Sequence, residues 1–209
     1  MTTLEQSADA GLFCVLEGLD GTGTTTLSAF LADALRARDL RVLTTAEPTQ
    51  GPFGRLLRSH VERRIDLDPH TAALAFTADR HEHLDQVVRP ALRRGRWVIS
   101  DRYLLSTLAY QGAEGVSREA ILAASEGFDV PDVTFLLDAP DGVRHQRMAS
   151  RGSVDRYEDP TLAQRLRDSY EASAALLRRH GHRIDVVDAT PEPSAIVADL
   201  LARLDATGR

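Results

Sequence analysis

A glycine-rich turn near the amino terminus has the residue types and spacing that bind phosphate. An apolar run, Leu12–Glu17, leads into Gly18, and Gly23 follows at the spacing of the G-x-x-x-x-G-K-[ST] pattern. In such a turn the glycines let backbone N–H groups point at phosphate oxygens, and the following helix adds its positive end. The residues expected to line this turn are Gly18, Gly21, Thr22, Gly23, Thr24, Thr25 and Thr26.

The turn departs from that pattern at its most charged position. Thr24 stands where lysine is expected, and the 25 Lys or Arg positions of the chain are all arginine. A lysine about 4 Å from a phosphate charge is worth about 4 kcal/mol at an effective dielectric near 20, before desolvation. Thr25 keeps the hydroxyl that can bind magnesium. Two alternatives stay open: a strand-to-helix turn capped by threonines, and a dinucleotide-binding turn, whose G-x-G-x-x-G spacing this sequence reverses.

A second polar group follows a later strand. Asp101 closes the apolar run Trp97–Ser100, and Arg102 is its neighbour. Because open α/β sheets bind ligands at the carboxyl ends of their strands, we expect Asp101 to hold Mg²⁺ directly or through water. The planar fork of Arg102 suits a bidentate phosphate contact. The alternatives are a helix N-cap for Asp101 and an ordinary surface arginine for Arg102.

Short apolar runs alternate with longer amphipathic segments, which indicates a parallel sheet wrapped by helices in one α/β domain. The predicted strands are 12–17, 41–46, 97–100, 133–137 and 183–187. The predicted helices are 25–38, 69–94, 104–111, 117–126, 141–150, 161–180 and 192–204, and loops are expected at 50–53, 112–116 and 151–159.

Composition narrows the class of protein. The chain has 209 residues, 43% of them hydrophobic and 27% charged, with a net charge of −6. These values are typical of a globular domain and offer no general basic surface for nucleic acid. The single cysteine, Cys14, fits a reducing compartment, and the amino terminus lacks a signal segment, so a cytoplasmic location is expected. The histidines, His81 and His83 among them, show no metal-ligand spacing and are expected at the surface.

Five motifs in chain order resemble the thymidylate kinase family. They are Glu17-Gly-Leu-Asp-Gly-Thr-Gly at the glycine-rich turn, Glu47-Pro48-Thr49, Phe76-Thr-Ala-Asp-Arg80, the stretch from Pro90 through Asp101-Arg102-Tyr103 to Gly112, and Arg151-Gly-Ser-Val-Asp155-Arg156-Tyr-Glu158. The resemblance covers about residues 12–188. It implies a three-layer P-loop nucleoside-monophosphate kinase fold with a five-stranded parallel sheet, the substrates ATP and dTMP, Mg²⁺ and a homodimer.

The resemblance also implies roles for particular residues. It makes the glycine-rich turn the ATP site, with Thr25 and Asp101 as the metal-binding pair. Asp20 and Arg102 act at the acceptor phosphate, and Glu47 orders magnesium-bound water. The acceptor nucleotide is bound by Glu47, Arg55, Phe76, Arg80, Arg102, Tyr110 and Gln111, where Phe76 stacks on thymine, Arg80 and Gln111 bind its edge, and Tyr110 excludes a ribose hydroxyl.

A cluster of arginines falls in the expected lid, residues 144–159. Its members are Arg144, Arg147, Arg151 and Arg156. An arginine brought over a transferring phosphoryl group can raise the rate by about 10³- to 10⁵-fold. We therefore expect Arg151 to compensate for the lysine missing at Thr24, with catalytic roles for Asp20, Arg102 and Arg151. A solvated charged face is the alternative for the cluster.

Two other functions remain open from the sequence. The fold could phosphorylate another or a modified pyrimidine nucleoside monophosphate. Alternatively, Thr24 could have abolished transfer, leaving a nucleotide-binding pseudokinase.

Overall fold

The computed structural model describes residues 11–149 and 160–206, with side chains omitted at 160–162. It contains the predicted five-stranded parallel sheet, in the order β2-β3-β1-β4-β5. The strands are β1 (Phe13–Gly18), β2 (Val42–Ala46), β3 (Trp97–Asp101), β4 (Val133–Asp138) and β5 (Ile184–Asp188). Helices cover both faces of the sheet, so the expected three-layer α/β fold is confirmed.

The helices connect the strands and end near the predicted limits in most cases. They are α1 (Thr24–Arg36), α2 (Pro52–Val61), α3 (Pro69–His83), α4 (Arg89–Leu92), α5 (Leu104–Ala113), α6 (Arg118–Ala124), α7 (Asp141–Ala149), α8 (Pro160–Arg179) and α9 (Pro193–Asp205). None of the helices within the described ranges is long and apolar enough to cross a membrane.

The strand β1 lies at the centre of the sheet and is buried along its whole length. Its alternate residues point to opposite faces. Phe13 and Val15 join a core packed under α5 and α8, whereas Cys14 and Leu16 join a second core under α1 and α9. Burial on both faces explains why this strand is an uninterrupted apolar run.

Two elements differ from the sequence prediction. The segment expected to be a loop at 50–53 runs into α2, because Pro52 occupies a first-turn position that needs no N–H. A Cβ at Gly54 would lie 2.1 Å from the Thr49 carbonyl oxygen, so this glycine permits close packing within a helix. The long helix predicted at 69–94 is interrupted by a π-helical turn, Leu84–Val88, just before Pro90, which cannot donate a helical hydrogen bond.

Candidate active site

The parallel strands bring the expected site residues to one edge of the sheet. Leu16 of β1 pairs in register with Asp101 of β3, and Ala46 at the end of β2 pairs with the same aspartate. The chain then leaves β1 through the glycine-rich turn and leaves β3 through Arg102. Asp20 and Arg102, which are 82 residues apart in sequence, therefore meet in one crevice at the carboxyl ends of β1 and β3.

The glycine-rich turn ends at the start of α1. Gly23 is the N-cap with φ of 96°, in the left-handed region that glycine adopts without steric cost. Thr22 donates its hydroxyl proton to the Leu19 carbonyl at 2.8 Å, which tightens the turn. Thr24 is the first residue of α1 and is buried. The N–H groups at this helix start and its positive end suit an anion.

Thr25 and Asp101 meet at the mouth of this turn. The Thr25 hydroxyl donates to Asp101 Oδ2 at 2.5 Å. The other oxygen, Asp101 Oδ1, is buried and has no hydrogen-bond partner within the described residues. A carboxylate oxygen without a partner, beside a hydroxyl oxygen, is a donor set that suits Mg²⁺. The residues predicted to hold the metal therefore lie together and fit it.

Arg102 joins the turn to the helices on the other side of the crevice. One terminal nitrogen donates to the Gly18 carbonyl at 3.0 Å, the Ser106 hydroxyl at 3.2 Å and the Tyr170 hydroxyl at 3.1 Å. The other lies 2.5 Å from Asp20 Oδ1. Its backbone has φ of 72°, and a non-glycine residue in this region costs about 1–2 kcal/mol.

Glu17 sits beneath Arg102 as a buried carboxylate acceptor. Its Oε1 accepts from the backbone N–H groups of Tyr103 at 2.8 Å and Ser106 at 3.1 Å, and its Oε2 accepts from the Ser106 hydroxyl at 2.5 Å. These bonds fix the start of α5, two residues after Arg102. Burial raises the pKa of Glu17 to about 7, against the lowering effects of the Ser106 hydroxyl and the Arg102 charge. The sequence does not indicate this role, because Glu17 and Tyr103 are 86 residues apart.

We predict that Glu17→Gln removes a pH dependence of stability. The folded pKa is about 7 and the ordinary value 4.5, so the folded state keeps a proton that the unfolded state has lost between those values. This stabilisation is complete below pH 4.5 and disappears as pH rises through 7, by at most about 3 kcal/mol. Urea unfolding measures the free energy of unfolding of the variant and the parent at pH 5 and pH 8. Relative to the parent, the variant should be more stable at pH 8 than it is at pH 5. The prediction would be contradicted if the difference in free energy of unfolding between variant and parent were the same at both pH values. It would also be contradicted if Glu126→Gln, at an exposed position, gave the same change between pH 5 and pH 8.

Glu47 and Arg80 form a buried ion pair. Arg80 Nη2 lies 2.7 Å from Glu47 Oε2, and both side chains are almost completely inaccessible to solvent. Glu47 Oε1 lies 2.9 Å from His83 Nδ1, whose other nitrogen is 2.7 Å from the Thr45 hydroxyl. This geometry makes Glu47 a positioning residue for Arg80, and the magnesium-water role that the resemblance implies stays a prediction. The expectation of a surface histidine is wrong for His83, because α3 turns this side chain towards Glu47.

We predict that Glu47→Gln lowers the free energy of unfolding by about 3–5 kcal/mol, because it keeps the shape but leaves the buried Arg80 charge without its counter-ion. Denaturant unfolding at pH 7 measures this loss. The double variant Glu47→Gln with Arg80→Met should recover most of it, since no unpaired charge then remains. Equal losses in the single and double variants would contradict the ion-pair explanation.

The residues expected to bind a nucleobase lie on α3 and α5. Phe76 is half-buried and stands one helical turn before Arg80. Two guanidinium nitrogens of Arg80, Nε and Nη1, and the Gln111 carbonyl oxygen Oε1 are buried without hydrogen-bond partners among the described residues. Tyr110 places its ring 5.5 Å from the guanidinium carbon of Arg102. Unpaired donors and an unpaired acceptor are what a base edge requires.

Arg55 is the remaining residue predicted for the acceptor site. It is exposed on α2 and donates to the Gln50 carbonyl at 2.7 Å. Direct contacts join Arg102 to Asp20 and Tyr110, and Arg80 to Glu47. Gln111 follows Tyr110 on α5. Arg151 lies outside the described residues.

Two cavities border the glycine-rich turn. One of about 590 Å³ is lined by Thr25 and Asp101 together with β2 and the π-helical turn. The other, of about 300 Å³, opens beside the start of α1 and is lined by Thr22, Gly23, Thr26, Leu27, Arg147, Pro191, Glu192, Pro193 and Ile196. The sequence analysis missed the loop after β5 as part of the site. Its proline-rich stretch before α9 was the available signal.

Comparison with known proteins places the chain among thymidylate kinases. A family model described as thymidylate kinase matches residues 16–200. A probable thymidylate kinase from Pyrobaculum aerophilum is 38% identical over 90% of this chain and 93% of its own length. Thymidylate kinases from Bordetella petrii and Akkermansia muciniphila are 40% and 44% identical, over 94% and 71% of this chain and 96% and 72% of their own lengths.

Proposed function

The chain belongs to the thymidylate kinase family and is a nucleoside-monophosphate kinase, and we propose that it transfers the γ-phosphoryl group of ATP to dTMP. An oxygen of the dTMP phosphate attacks the γ-phosphorus, the bond to the β-phosphate bridging oxygen breaks, and ADP and dTDP result. The observation that carries this proposal is Arg102, which joins the glycine-rich turn to α5, the helix that bears Tyr110 and Gln111.

Different residues act at the donor phosphates, at the acceptor phosphate and at the metal. N–H groups of the turn and the start of α1 hold the donor phosphates. Arg102 orients the acceptor phosphate and neutralises its charge, and Asp20 holds Arg102 through an ion pair. Positioning and charge neutralisation are most of what phosphoryl transfer requires. Mg²⁺, held by Thr25 and Asp101, would supply charge neutralisation of the donor phosphates.

The free groups in the base site match the edge of thymine. Thymine presents carbonyl acceptors beside an N–H donor. Arg80 Nε and Nη1 supply donors, and Gln111 Oε1 supplies an acceptor. Phe76 offers a face for stacking, and Tyr110 stands close to Arg102, where its bulk would oppose a ribose 2′-hydroxyl. These groups favour a pyrimidine deoxynucleotide as the acceptor.

The deciding experiment measures ADP release from ATP and Mg²⁺ with dTMP, dUMP, UMP or no acceptor. We expect release that depends on dTMP and is lost in Asp101→Ala, a control against contaminating kinase. Preference for another monophosphate would redirect the proposal to an altered acceptor. Nucleotide binding without ADP release for any of the acceptors would favour a pseudokinase. If Thr24→Lys then restored ADP release, the inactivity would be explained by the missing lysine.

We also propose that residues 1–209 act as one domain with a lid near 144–159, and that Arg151 in this lid compensates for Thr24. Arg151 follows α7 by two residues. That helix already directs two arginines at the turn: Arg144 donates to the Asp20 carbonyl at 3.0 Å, and Arg147 approaches the Thr22 carbonyl at 3.5 Å. These two contacts, and the short distance in sequence from α7 to Arg151, support the proposal.

A homodimer is proposed for the assembly. The helix α2 packs against α3, and both helices leave apolar side chains in solvent. Phe53 and Leu56 on α2 are 39% and 40% exposed, and Leu74 on α3 is 65% exposed. Burial of such side chains against a second copy would be favourable. Sedimentation equilibrium should give twice the chain mass, and Leu74→Asp should shift it to the monomer.

A cytoplasmic location is proposed from the state of the only cysteine. Cys14 is completely buried in β1, and burial raises the pKa of its thiol. A protonated, enclosed thiol serves as a small core residue and suits a reducing compartment.

A further inference from the structure

Arg144 is a buried cation attached to the glycine-rich turn. It is 3% exposed, and one terminal nitrogen donates to the Asp20 carbonyl at 3.0 Å. The other is 2.6 Å from Asp141 Oδ1, and the same oxygen is 2.6 Å from Arg167 on α8. The hydrogen bond from Arg144 lowers the pKa of Asp141, so the carboxylate stays charged. Burying a guanidinium is costly unless it is held in this way.

The bond to Asp20 fixes the direction of one peptide group in the turn. A peptide bond is planar and trans, so its C=O and N–H point in opposite directions. Because the Asp20 carbonyl accepts from the Arg144 guanidinium, the Gly21 N–H points away from that guanidinium. Gly21 has φ of 85°, and a Cβ there would lie 2.6 Å from the Arg144 carbonyl oxygen. Glycine lets the turn pack on α7, but its freedom also makes this peptide the easiest to rotate.

The Arg144 charge at the Asp20 carbonyl also affects the N–H of the same peptide group, which belongs to Gly21. Hydrogen bonds in a chain polarise one another, so a charged donor on C=O makes the N–H of the same peptide a stronger donor. In turns of this spacing the N–H groups hold phosphate oxygens. In the usual pattern, lysine brings its charge directly to the phosphates. Here the charge of Arg144 acts on the phosphates through the peptide group between Asp20 and Gly21.

We propose that Arg144 is a positioning residue that orients and polarises the Gly21 N–H towards the phosphates of ATP, and so offsets part of the lysine missing at Thr24. This inference rests on the proposed function, since it requires ATP in the glycine-rich turn. It is separate from the role of Arg151, because Arg144 is fixed to the turn in the described structure. The solvated charged face considered for this cluster is wrong for Arg144, which is buried.

The test compares steady-state kinetics of Arg144→Ala and Arg144→Lys with the parent, varying ATP at saturating dTMP and the reverse. We expect Arg144→Ala to raise KM for ATP about 10- to 100-fold, the range for loss of one hydrogen bond made by a charged group, with KM for dTMP changed less than about twofold. Arg144→Lys should recover part of the loss because it keeps the charge. Arg89→Ala is the matched control, since Arg89 pairs with Asp85 and Asp129 away from the turn.

A double variant separates the electrostatic role from a structural one. In the Thr24→Lys background the turn has its own cation. The rise in KM for ATP caused by Arg144→Ala should therefore be at least about threefold smaller there than in the parent. Thermal melting of each variant measures folding independently. The inference is overturned if Arg144→Ala affects KM for ATP no more than Arg89→Ala, or weakens ATP and dTMP equally. A parent enzyme inactive on dTMP would instead overturn the proposed function.

Discussion

Replacing Arg102 by alanine is expected to lower kcat/KM for dTMP by about 10³- to 10⁵-fold, the range measured for arginines that neutralise a transferring phosphoryl group. Arg102 is tied at once to Gly18, Asp20 and Tyr170, so its removal takes a cation from the crevice and frees the turn from the facing helix. Coupled assays of ADP formation with dTMP as the varied substrate would measure the loss.

Two further variants separate the side chain's chemistry from its backbone conformation. Arg102→Gly removes the side chain and relieves the φ of 72°, so it should be more stable than Arg102→Ala but equally impaired. Arg102→Lys keeps one charge without the planar fork and should fall between alanine and the parent. Activity of Arg102→Gly within about tenfold of the parent would contradict a catalytic role at the phosphate.

Replacing Arg151 by alanine is expected to lower kcat by about 10³-fold or more while KM for dTMP stays within about threefold. The reason is that the donor turn has Thr24 in place of lysine, so charge that develops on the transferring group needs another cation. An arginine acting only in the transition state changes turnover without changing acceptor binding. The measurement is single-turnover formation of dTDP at saturating substrates, which isolates the chemical step from product release.

The neighbouring arginine provides the comparison for this prediction. Arg156→Ala removes the same charge five positions later in the expected lid. A large loss there with an unchanged Arg151→Ala would transfer the compensating role to Arg156. In the Thr24→Lys background the cost of Arg151→Ala should shrink, because the two cations would serve the same phosphate. Equal costs in both backgrounds would show that Arg151 does not compensate for the missing lysine.

Local patterns in the sequence were sufficient for the sheet and for the candidate residues. The glycine spacing from Gly18 to Gly23 produces a turn and a helix start from a few consecutive residues, and the apolar runs predict the five strands, of which β1 is buried along its whole length. The order of the strands was not predicted, because it depends on pairing between residues far apart in sequence. Asp101 and Arg102 follow a strand directly, so their place at the edge of the sheet also follows from short-range information. Such patterns depend on backbone geometry, which neighbouring residues largely determine.

The tertiary structure decided which charged residues are buried and what they contact. Arg144 and Asp20 are 124 residues apart, and Glu17 and Tyr103 are 86 apart, so no local pattern couples them. Burial determines the chemistry of these side chains. His83, expected at the surface, is buried as a partner of Glu47, and burial raises the pKa of Glu17 to about 7. Sequence alone determined the strands, the turn and the residues available for phosphate chemistry. Packing determined which of those charges are desolvated and paired, because desolvation depends on every element that covers the group.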